Sequence, residues 1–333
     1  MNLPIIAVTA GDMAGIGSEI LLKALADPKV RSCCRPLGIA DYTILQKAEN
    51  EVTKTTLTMR RIGSFEEADF NGDAANILDM PRIPLESFQI GKPDAATGRA
   101  MLDFTIEAVQ LALAGKVHGA VGGPHSKKAA DEAGYNFIGY PMLIAEMTGR
   151  KHPFLLLASE RIKVANVTLH TSLRKALDML SVDLVLECIK ATEEGVRSFG
   201  IEKPKLAVAG LNPHAGEDRM FGDEDEDIIK PAVEQAKALG IDAEGPFPAD
   251  SLFYNTENRP YHAYVGMYHD QAHIPVKVLS FKSASAVGLG IPVNWATVDH
   301  GCALDIAWKG VADEQVLVET ICLIAKRAAY YRD

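Results

Sequence analysis

Apolar runs that alternate with helix-like segments along the whole chain limit its possible folds more than any other feature. Residues 4–10, 154–158, 164–169 and 205–210 are almost continuously apolar. Parallel strands have such runs because helices bury both faces of their sheet. Residues 97–115, in contrast, carry apolar side chains at helical spacing. The alternation predicts an α/β fold with a doubly wound, mostly parallel sheet and helices on both faces.

Length and composition narrow the class of protein. With 333 residues, 47% of them hydrophobic, the chain is long enough for two domains. Its net charge of −10 argues against a nucleic-acid partner, and the absence of an apolar stretch of about twenty residues argues against a membrane span. The N-terminus leads directly into a strand without a signal-peptide pattern, and the five cysteines include no Cys-x-x-Cys pair. We therefore expect a cytoplasmic protein with reduced thiols.

The stretch 266–275 is unusually dense in functional side chains. It follows an apolar run and places His269, Asp270 and Gln271 beside one another. Ligands of α/β proteins gather beyond the carboxyl ends of strands, so the stretch is a candidate site. The alternative is a polar loop with a surface histidine.

Two further histidines share this placement. His170, His214 and His269 each follow an apolar strand, although they are too far apart in sequence to form a short metal motif. Three neutral imidazoles with an open position suit a catalytic divalent metal, which polarises a hydroxyl or carbonyl oxygen. Asp250 and Asp270 are candidates to complete or orient this ligand set. The alternative is three unrelated loop histidines.

Basic residues and glycines follow two other strands. The turn Gly11–Glu19 opens a helix, and it predicts either an anion-binding backbone or a tight turn that needs glycine. Lys127 and Lys128 lie where a ligand carboxylate could be bound, although exposed lysines are common.

Four other segments give structural expectations only. We expect residues 43–80 to form short strands and polar loops, and residues 283–290 to be irregular. The acidic run 223–227 is expected to be a solvated helix start. The adjacent Cys33 and Cys34 are not expected to pair with each other.

Five motifs together resemble the 4-hydroxythreonine-4-phosphate dehydrogenase family. They follow the family's order and span nearly the whole chain: Gly11–Glu19, LNPHAGE at 211–217, GPFPADSLF at 245–253, MYHDQ at 267–271 and VDHGCA at 298–303. The resemblance implies the two-domain fold of the isocitrate and isopropylmalate dehydrogenases. It also implies a homodimer with the active site at the subunit interface, a divalent metal and NAD, with NADP as an alternative. The implied reaction oxidises a secondary alcohol of a hydroxy acid and then removes CO2 from the β-keto acid.

The resemblance also assigns residues. The metal ligands are implied to be His170, His214 and His269, with His269 supplied by the partner subunit. Lys127 is implied as a proton donor or carboxylate partner, and Asp250 and Asp270 are the other candidate catalytic residues. The residues that match the cofactor loop are Asp299, His300, Gly301 and Ala303. Imidazole ligands favour zinc, with manganese, cobalt and magnesium as alternatives.

The same resemblance implies domain boundaries. Residues 1–127 and 277–333 are expected to form a larger domain on the NAD side. Residues 128–276 are expected to form a second domain that carries the metal ligands and the dimer contacts, with the active site in the cleft between the domains.

The substrate-binding positions depart from the family pattern. Lys277 is kept, but Tyr140 and Pro141 replace a histidine and a threonine, and gap-free counting places Ala286 and Trp295 where the family has asparagine and arginine. Loss of an arginine removes a bidentate phosphate ligand, and aromatic rings offer flat apolar faces. These changes predict a non-phosphorylated substrate, such as a terephthalate-type cis-dihydrodiol carboxylate.

The sequence is also compatible with other functions. The first is a true 4-hydroxythreonine-4-phosphate dehydrogenase in which Lys282 or Arg219 replaces the missing phosphate ligands. A metal-dependent hydrolase or aldolase would also use three histidines and a carboxylate. A binding module without catalysis would need the histidines but not the lysines and aspartates.

Overall fold

The computed structural model describes residues 3–281 and 283–331. The strands in these ranges are β1 (Ile5–Thr9), β2 (Arg35–Ala40), β3 (Met59–Ile62), β4 (Ala75–Asp79), β5 (Gly119–Gly122), β6 (Phe154–Ala158), β7 (Lys163–Asn166), β8 (Lys205–Ala209), β9 (Asp242–Phe247), β10 (Ala263–Gly266), β11 (Ser285–Leu289) and β12 (Trp295–Val298). The α-helices are α1 (Gly17–Ala26), α2 (Pro28–Cys33), α3 (Tyr42–Ala48), α4 (Ala95–Leu113), α5 (Lys127–Glu132), α6 (Tyr140–Thr148), α7 (Leu173–Met179), α8 (Val182–Arg197), α9 (Lys230–Ala238), α10 (Ala249–Leu252), α11 (His269–Ser280) and α12 (Gln315–Arg327). None of these helices is long and apolar enough to cross a membrane.

The chain forms two compact units whose boundaries differ from those expected. The first unit contains the residues up to Thr148 and those from Pro292, and the second contains Gly149–Ile291. Residues 127–148 belong to the first unit because α5 and α6 pack on α4. The segment that follows 276 belongs largely to the second unit because β11 pairs with β6.

The first unit has a wholly parallel sheet in the order β3-β4-β2-β1-β5-β12. β1 lies at its centre, with Ile6 opposite Pro36 on one side and Gly119 on the other. Side chains of β1, α1 and α4 such as Ile6, Leu21 and Phe104 are fully buried.

The second unit has a mixed sheet in the order β11-β6-β7-β10-β8-β9. β6 runs antiparallel to both neighbours, whereas β7, β10, β8 and β9 are parallel to one another. Its core includes Leu157, Val164 and Tyr264 from the sheet and Val276 from α11. The prediction of an α/β fold with two domains and mostly parallel strands is confirmed.

Three segments differ in secondary structure from the expectation. Residues 43–80 contain the expected short strands, β3 and β4, but they begin with helix α3. The N-cap of this helix, Asp41, accepts a hydrogen bond from the backbone of Thr43. Residues 283–290 contain β11, every residue of which is buried. The stretch 266–275 is not the polar loop that was the alternative interpretation, because α11 begins at His269 and continues through Pro275.

Candidate active site

Four loops of the second unit place functional side chains at one edge of its sheet. β7, β8, β9 and β10 are parallel, so their carboxyl ends lie at the same edge. His170 follows β7, His214 follows β8, Asp250 follows β9, and His269 with Asp270 follows β10. Ligand sites of α/β proteins form at this edge, so the placement agrees with the sequence prediction.

Gln271 ties two of these loops together. Its side-chain oxygen accepts a hydrogen bond from Met267 N at 2.6 Å, and its side-chain nitrogen donates to Gly210 O at 2.8 Å. Thr168 joins the third loop, because its hydroxyl donates to Met267 O at 2.8 Å. The ends of β7, β8 and β10 are therefore fixed relative to one another by side-chain hydrogen bonds.

His170 and His269 face a common groove. Their ring centroids are 6.0 Å apart, and the groove, of about 550 Å³, is lined mainly by the loop after β7 and the start of α11. The Nδ1 atom of His269 lies 2.7 Å from a carboxylate oxygen of Asp270. Its ring stacks on His273 with centroids 3.7 Å apart. The orientation of the His269 ring is thus restricted from two sides.

His214 lies in a segment of unusual backbone conformation. Residues 214–219 all have positive φ, and only Gly216 among them is a glycine. This left-handed conformation costs roughly 1–2 kcal/mol for each residue with a side chain. The segment places His214 Nδ1 at 2.6 Å from Glu217 Oε2. The hydrogen bond with Glu217 raises the pKa of His214, and the charge of Asp250 adds to this effect.

The buried carboxylate of Asp225 holds the preceding loop in place. It accepts hydrogen bonds from Leu211 N at 2.8 Å and from both the backbone and the side chain of Asn212 at 3.0 Å. Asp225 is fully buried, so the expectation that the whole acidic run 223–227 is solvated was wrong. One carboxylate of the run instead satisfies backbone donors that would otherwise be unpaired.

The structure only partly assembles the predicted metal ligands. Among residues 3–281 and 283–331, no group of three His, Cys, Asp or Glu side chains is close enough to hold an ion. The donor chemistry nevertheless suits a metal. In His214 and His269 a carboxylate occupies Nδ1, which leaves Nε2 as the coordinating atom, the usual arrangement of metal-binding histidines. The three-histidine site stays a prediction.

One face of α11 carries three polar side chains. His269, His273 and Lys277 follow one another at intervals of four residues, so they lie on the same side of the helix. The ammonium of Lys277 lies 5.2 Å from the ring centroid of Phe281. Lys277 therefore shares a helix face with the candidate ligand His269, while its ammonium lies near Phe281, on the side away from His269.

In the first unit, the loops after β1, β5 and β12 meet at the carboxyl edge. Asp12 N donates to Pro124 O at 2.8 Å, and Ile16 N donates to Cys302 O at 3.0 Å. This edge carries the predicted residues Lys127 and Asp299 through Ala303.

The glycines of the first turn are explained by backbone contacts. A Cβ at Gly11 would lie 2.2 Å from Pro124 O, and one at Gly15 would lie 2.5 Å from Cys302 O. Gly11 also has a φ of +65°. The structure thus accounts for these glycines through close packing of loops, the second of the two interpretations.

Asp12 is a candidate that the sequence analysis missed. It is fully buried, and its Oδ1 atom accepts a hydrogen bond from Ala14 N at 3.0 Å. Within the described part of the chain, Oδ2 has no hydrogen-bond partner. Burial raises the pKa of Asp12 to about 6. A buried carboxyl with such a pKa at a strand end is a candidate proton carrier; its position in a glycine-rich turn after β1 was the available signal.

Lys127 is the first residue of α5, which begins at the N-cap Ser126. The Ser126 hydroxyl accepts a hydrogen bond from Ala129 N at 3.1 Å. Lys127 is exposed, and no carboxylate of the described residues is within ion-pair distance of it. The neighbouring Lys128 is 3.6 Å from Glu132. Lys127 is therefore available to a ligand, whereas Lys128 has an intramolecular partner.

Three of the predicted substrate-binding side chains belong to the interior of their units. Tyr140, Ala286 and Trp295 are 1%, 4% and 0% exposed. The Tyr140 hydroxyl donates to Gly123 O at 3.0 Å, and its ring contacts Trp295 with centroids 5.4 Å apart. These side chains fill space inside the protein, so their lack of charge does not define the charge of a substrate. Pro141, next to Tyr140 in α6, is partly exposed.

The predicted cofactor residues form an irregular loop after β12. Asp299 and His300 are partly exposed, and Nδ1 of His300 lies 3.0 Å from Gly301 O. Gly301 has open space around its Cα, and Ala303 has a φ of +42°. An exposed loop with an open glycine is compatible with a nucleotide, and the assignment to the adenosine half of NAD stays a prediction.

Arg219 and Lys282 were the alternative phosphate ligands, and the structure describes only Arg219. Arg219 is paired with Asp223 at 2.9 Å and with Asp227 at 2.6 Å, so its guanidinium is already neutralised. Lys282 lies outside the described residues.

A known protein family matches most of the chain. Residues 32–324 match the family described as pyridoxal phosphate biosynthetic protein PdxA. A 4-hydroxythreonine-4-phosphate dehydrogenase from Desulforapulum autotrophicum is 39% identical over 98% of this chain and 96% of its own. A D-threonate 4-phosphate dehydrogenase from Cupriavidus necator is 39% identical over 96% of each chain.

Solved structures agree with the sequence matches. A 4-hydroxythreonine-4-phosphate dehydrogenase from Klebsiella pneumoniae has a TM-score of 0.88 and 34% identity, covering 98% of this chain and 99% of that one. A terephthalate 1,2-cis-dihydrodiol dehydrogenase from Burkholderia xenovorans has a TM-score of 0.69 and 31% identity, covering 97% and 98%. The phosphate-ester dehydrogenase is thus the more similar of these two structures.

Proposed function

The chain belongs to the pyridoxal phosphate biosynthetic protein PdxA family, and from this premise we propose that it is a metal- and NAD-dependent dehydrogenase of a hydroxy acid 4-phosphate. The observation that carries the proposal is the 39% identity, over nearly the full length, to two dehydrogenases whose named substrates are both 4-phosphates. The chain carries candidate residues for metal, cofactor and proton transfer at the carboxyl ends of its strands.

The proposal replaces the expectation of a non-phosphorylated cis-dihydrodiol substrate. That expectation depended on Tyr140, Ala286 and Trp295 as pocket residues, and all three are buried inside their units. The relatives named for phosphate esters are also more similar to the chain than the dihydrodiol dehydrogenase. A phosphorylated substrate, the alternative in the sequence analysis, is therefore the better supported reading.

The proposed reaction oxidises the secondary alcohol β to the substrate carboxylate and releases CO2 from the resulting keto acid. When bound, NAD takes up the hydride and the metal polarises the substrate oxygen. His170, His214 and His269 are the proposed metal ligands, with the carboxylates of Glu217 and Asp270 fixing two of the imidazole rings. Zinc is the preferred metal, since imidazole nitrogen suits it better than magnesium.

Lys127 is the proposed proton donor. Its ammonium has no carboxylate partner of its own among the described residues, so it can pair with an anionic substrate and return a proton to the carbon that loses CO2. Asp250 and Asp270 are proposed to act on the metal side. Both are exposed, and Asp270 also orients His269.

We also propose that the protein is a homodimer that uses α11 as an interface. Ile274, Val278 and Phe281 are 59%, 79% and 71% exposed and follow one another at helical spacing. Exposed apolar side chains in a contiguous row mark interaction surfaces. The row lies on the helix that begins with His269, so a second copy docked there would lie close to the candidate metal ligands.

The proposal is tested by following NADH formation with purified protein. The assay combines NAD or NADP with zinc, manganese, cobalt or magnesium and compares four substrates: 4-hydroxythreonine 4-phosphate, D-threonate 4-phosphate, a dephosphorylated analogue and a terephthalate-type cis-dihydrodiol. We expect turnover of a 4-phosphate, and kcat/KM about a hundredfold lower without the phosphate, since charge-assisted hydrogen bonds worth about 3 kcal/mol are lost.

Two results would overturn the proposal. Efficient oxidation of the cis-dihydrodiol without turnover of either phosphate ester would reject the substrate class. Hydrolysis or aldol cleavage in the absence of NAD, with no NADH from any hydroxy acid, would favour the metal-dependent hydrolase or aldolase instead.

Metal binding is tested separately by calorimetric titration with zinc or manganese. Replacement of His214 by alanine removes a proposed ligand and should reduce the affinity at least tenfold. His152, an exposed histidine of the same unit, provides the matched control, and His152→Ala should bind like the wild type. Unchanged affinity in His214→Ala would reject the ligand assignment.

A further inference from the structure

Two thiols from distant parts of the sequence lie in direct contact in the first unit. Cys33 is the last residue of α2, and Cys322 lies in the middle of α12. Their Sγ atoms are 2.9 Å apart, although 289 positions separate the residues in the chain. Cys33 is partly exposed, whereas Cys322 is buried.

A second contact holds the two helices in the same register. Lys29 of α2 forms an ion pair of 2.5 Å with Glu319 of α12. Lys29 precedes Cys33 by four residues and Glu319 precedes Cys322 by three, so the two contacts are on adjacent turns. The packing of α2 on α12 therefore brings the two thiols into contact.

We propose that Cys33 and Cys322 are a modification site at which a peroxide forms a reversible disulfide. A disulfide bond is about 2.05 Å long, so the sulfurs need to approach by only about 0.9 Å. The Cys33 thiolate attacks one peroxide oxygen, the O–O bond breaks, and one water leaves with a sulfenic acid on Cys33. The Cys322 sulfur then displaces the second oxygen as water, so two thiols are oxidised and one peroxide is reduced to two waters.

The other cysteines are less suited to this chemistry. Cys34, Cys188 and Cys302 are all buried. The thiols of Cys33 and Cys34 both contact Val30 O, at 3.3 Å and 3.4 Å, so burial is what distinguishes Cys34. Cys188 lies near the hydroxyl of Thr192. Cys33 is the partly exposed thiol that a small oxidant can reach, and Cys322 is the sulfur beside it.

The environment of Cys33 makes the reaction slow at neutral pH. The contact with Cys322 lowers the pKa of Cys33, but Cys34 and burial raise it more, and the result is about 12. Only the thiolate attacks the peroxide, so the rate of disulfide formation should rise about tenfold per pH unit between neutral pH and that value. The pair therefore stays reduced in a reducing compartment and is oxidised under sustained peroxide exposure.

The site lies away from the candidate catalytic residues of the same unit. Cys33 comes just before β2, at the amino end of the parallel strands, whereas Lys127 and the loop 299–303 follow the carboxyl ends. A bond here joins an early helix of the chain to its last helix, which restricts the unfolded chain. We expect oxidation to raise the melting temperature by about 5 °C or more, without a change in turnover.

The experiment treats the purified full chain with hydrogen peroxide and maps its peptides without reduction. The expected product is a cross-linked pair of peptides containing Cys33 and Cys322, with the loss of two titratable thiols and recovery by dithiothreitol. Cys34→Ala should form the same cross-link, and Cys322→Ser should form none. The melting temperature of the oxidised wild type should be higher than that of oxidised Cys322→Ser.

Three outcomes would overturn the proposal. These are a cross-link between Cys33 and Cys34, over-oxidation of Cys33 without any cross-link, and a Cys33–Cys322 bond that leaves the melting temperature unchanged. If Cys322→Ser does not fold, Cys33→Ser, altered at the partly exposed position, gives the same comparison.

Discussion

Candidate side chains of the same type differ in whether they form an ion pair within the protein. Lys127 and Lys128 are neighbours at the start of α5, yet among the described residues only Lys128 lies beside a carboxylate, that of Glu132. The two lysines look equivalent in the sequence, but their surroundings in the structure differ. This difference makes them a matched pair for a functional test.

We predict that Lys127→Ala lowers kcat about a hundredfold on the 4-phosphate substrate, because a positioned proton donor contributes a factor of this order. Lys128→Ala should remain within about twofold of the wild type, since an exposed ion pair contributes little. Steady-state NADH formation measures both. Equal losses in the two variants would mean that Lys127 has no special role.

Asp12 predicts a dependence of stability on pH. Its pKa is raised to about 6 in the folded protein from an ordinary value of 3.8, so the folded state binds a proton more tightly than the unfolded state. Stability is therefore lost as the pH rises from about 4 to about 6, by about 3 kcal/mol for a shift of this size. Above pH 6 the buried charge remains a cost.

Asp12→Asn removes this titration while keeping the acceptor for Ala14 N. We predict that the variant is more stable than the wild type at pH 8, by about 1–3 kcal/mol, and that the difference vanishes near pH 4. Urea unfolding at several pH values measures it, with the exposed Asp178→Asn as control. A variant that is less stable at pH 8 would contradict the prediction.

Among the elements, the segment 214–219 combines a proposed metal ligand, His214, with an unfavourable backbone. Its positive φ values are tolerated because Asp225 and Asn212 hold the loop before it and Arg219 closes the far end against two aspartates. Strained segments of this kind persist only where the surroundings fix them, and they concentrate at functional sites. His214 is thus held in place by contacts outside its own turn.

We predict that Ala215→Gly stabilises the protein by about 1 kcal/mol, because glycine adopts the φ of +54° without steric cost. Ala112→Gly, in the regular helix α4, should destabilise it by about the same amount. Chemical unfolding of the two variants provides the measurement. Opposite signs are expected, and a loss of stability in both would show that residue 215 is not strained.

Some secondary-structure elements could be predicted from the sequence alone, and others could not. The strands β1 and β8 lie where continuous apolar runs predict them, and α4 lies where apolar residues recur at helical spacing. Such patterns depend on local sequence, so they can be recognised without the tertiary structure. β11 was missed because its small residues give no strand pattern, and pairing with β6 decides its conformation. The helix α11 was not predicted from the dense polar residues at its start, and it continues through Pro275.

The candidate site could also be predicted only in part from the sequence. The histidines at strand ends could be found from sequence, because an apolar run marks the strand before each of them. The burial of Tyr140 and Trp295 could not, since a change from polar to aromatic has the same appearance in a pocket and in a core. The contact between Cys33 and Cys322 depends on tertiary packing across almost the whole chain length.

At the scale of the whole molecule, the apolar row on α11 predicts association. Val278→Glu places a charge at its centre, and we expect the variant to dissociate into monomers because burial of an unpaired charge is costly. Analytical ultracentrifugation measures the change. Val311→Glu, at a valine that is 65% exposed in the first unit, should keep the oligomeric state of the wild type. A wild type that sediments as a monomer would reject the proposed dimer.

The first unit is made of two separate stretches of chain, and this has a consequence for synthesis on the ribosome. The strand β12, which completes its sheet next to β5, and the helix α12 are translated only after the whole of Gly149–Ile291 has been translated. The second unit is continuous in sequence and can gather its own strands earlier. Until then, the edge of the amino-terminal sheet at β5 has no strand β12 to pair with. Unpaired edges can associate with other chains, so we expect this stage of synthesis to be the one most prone to aggregation.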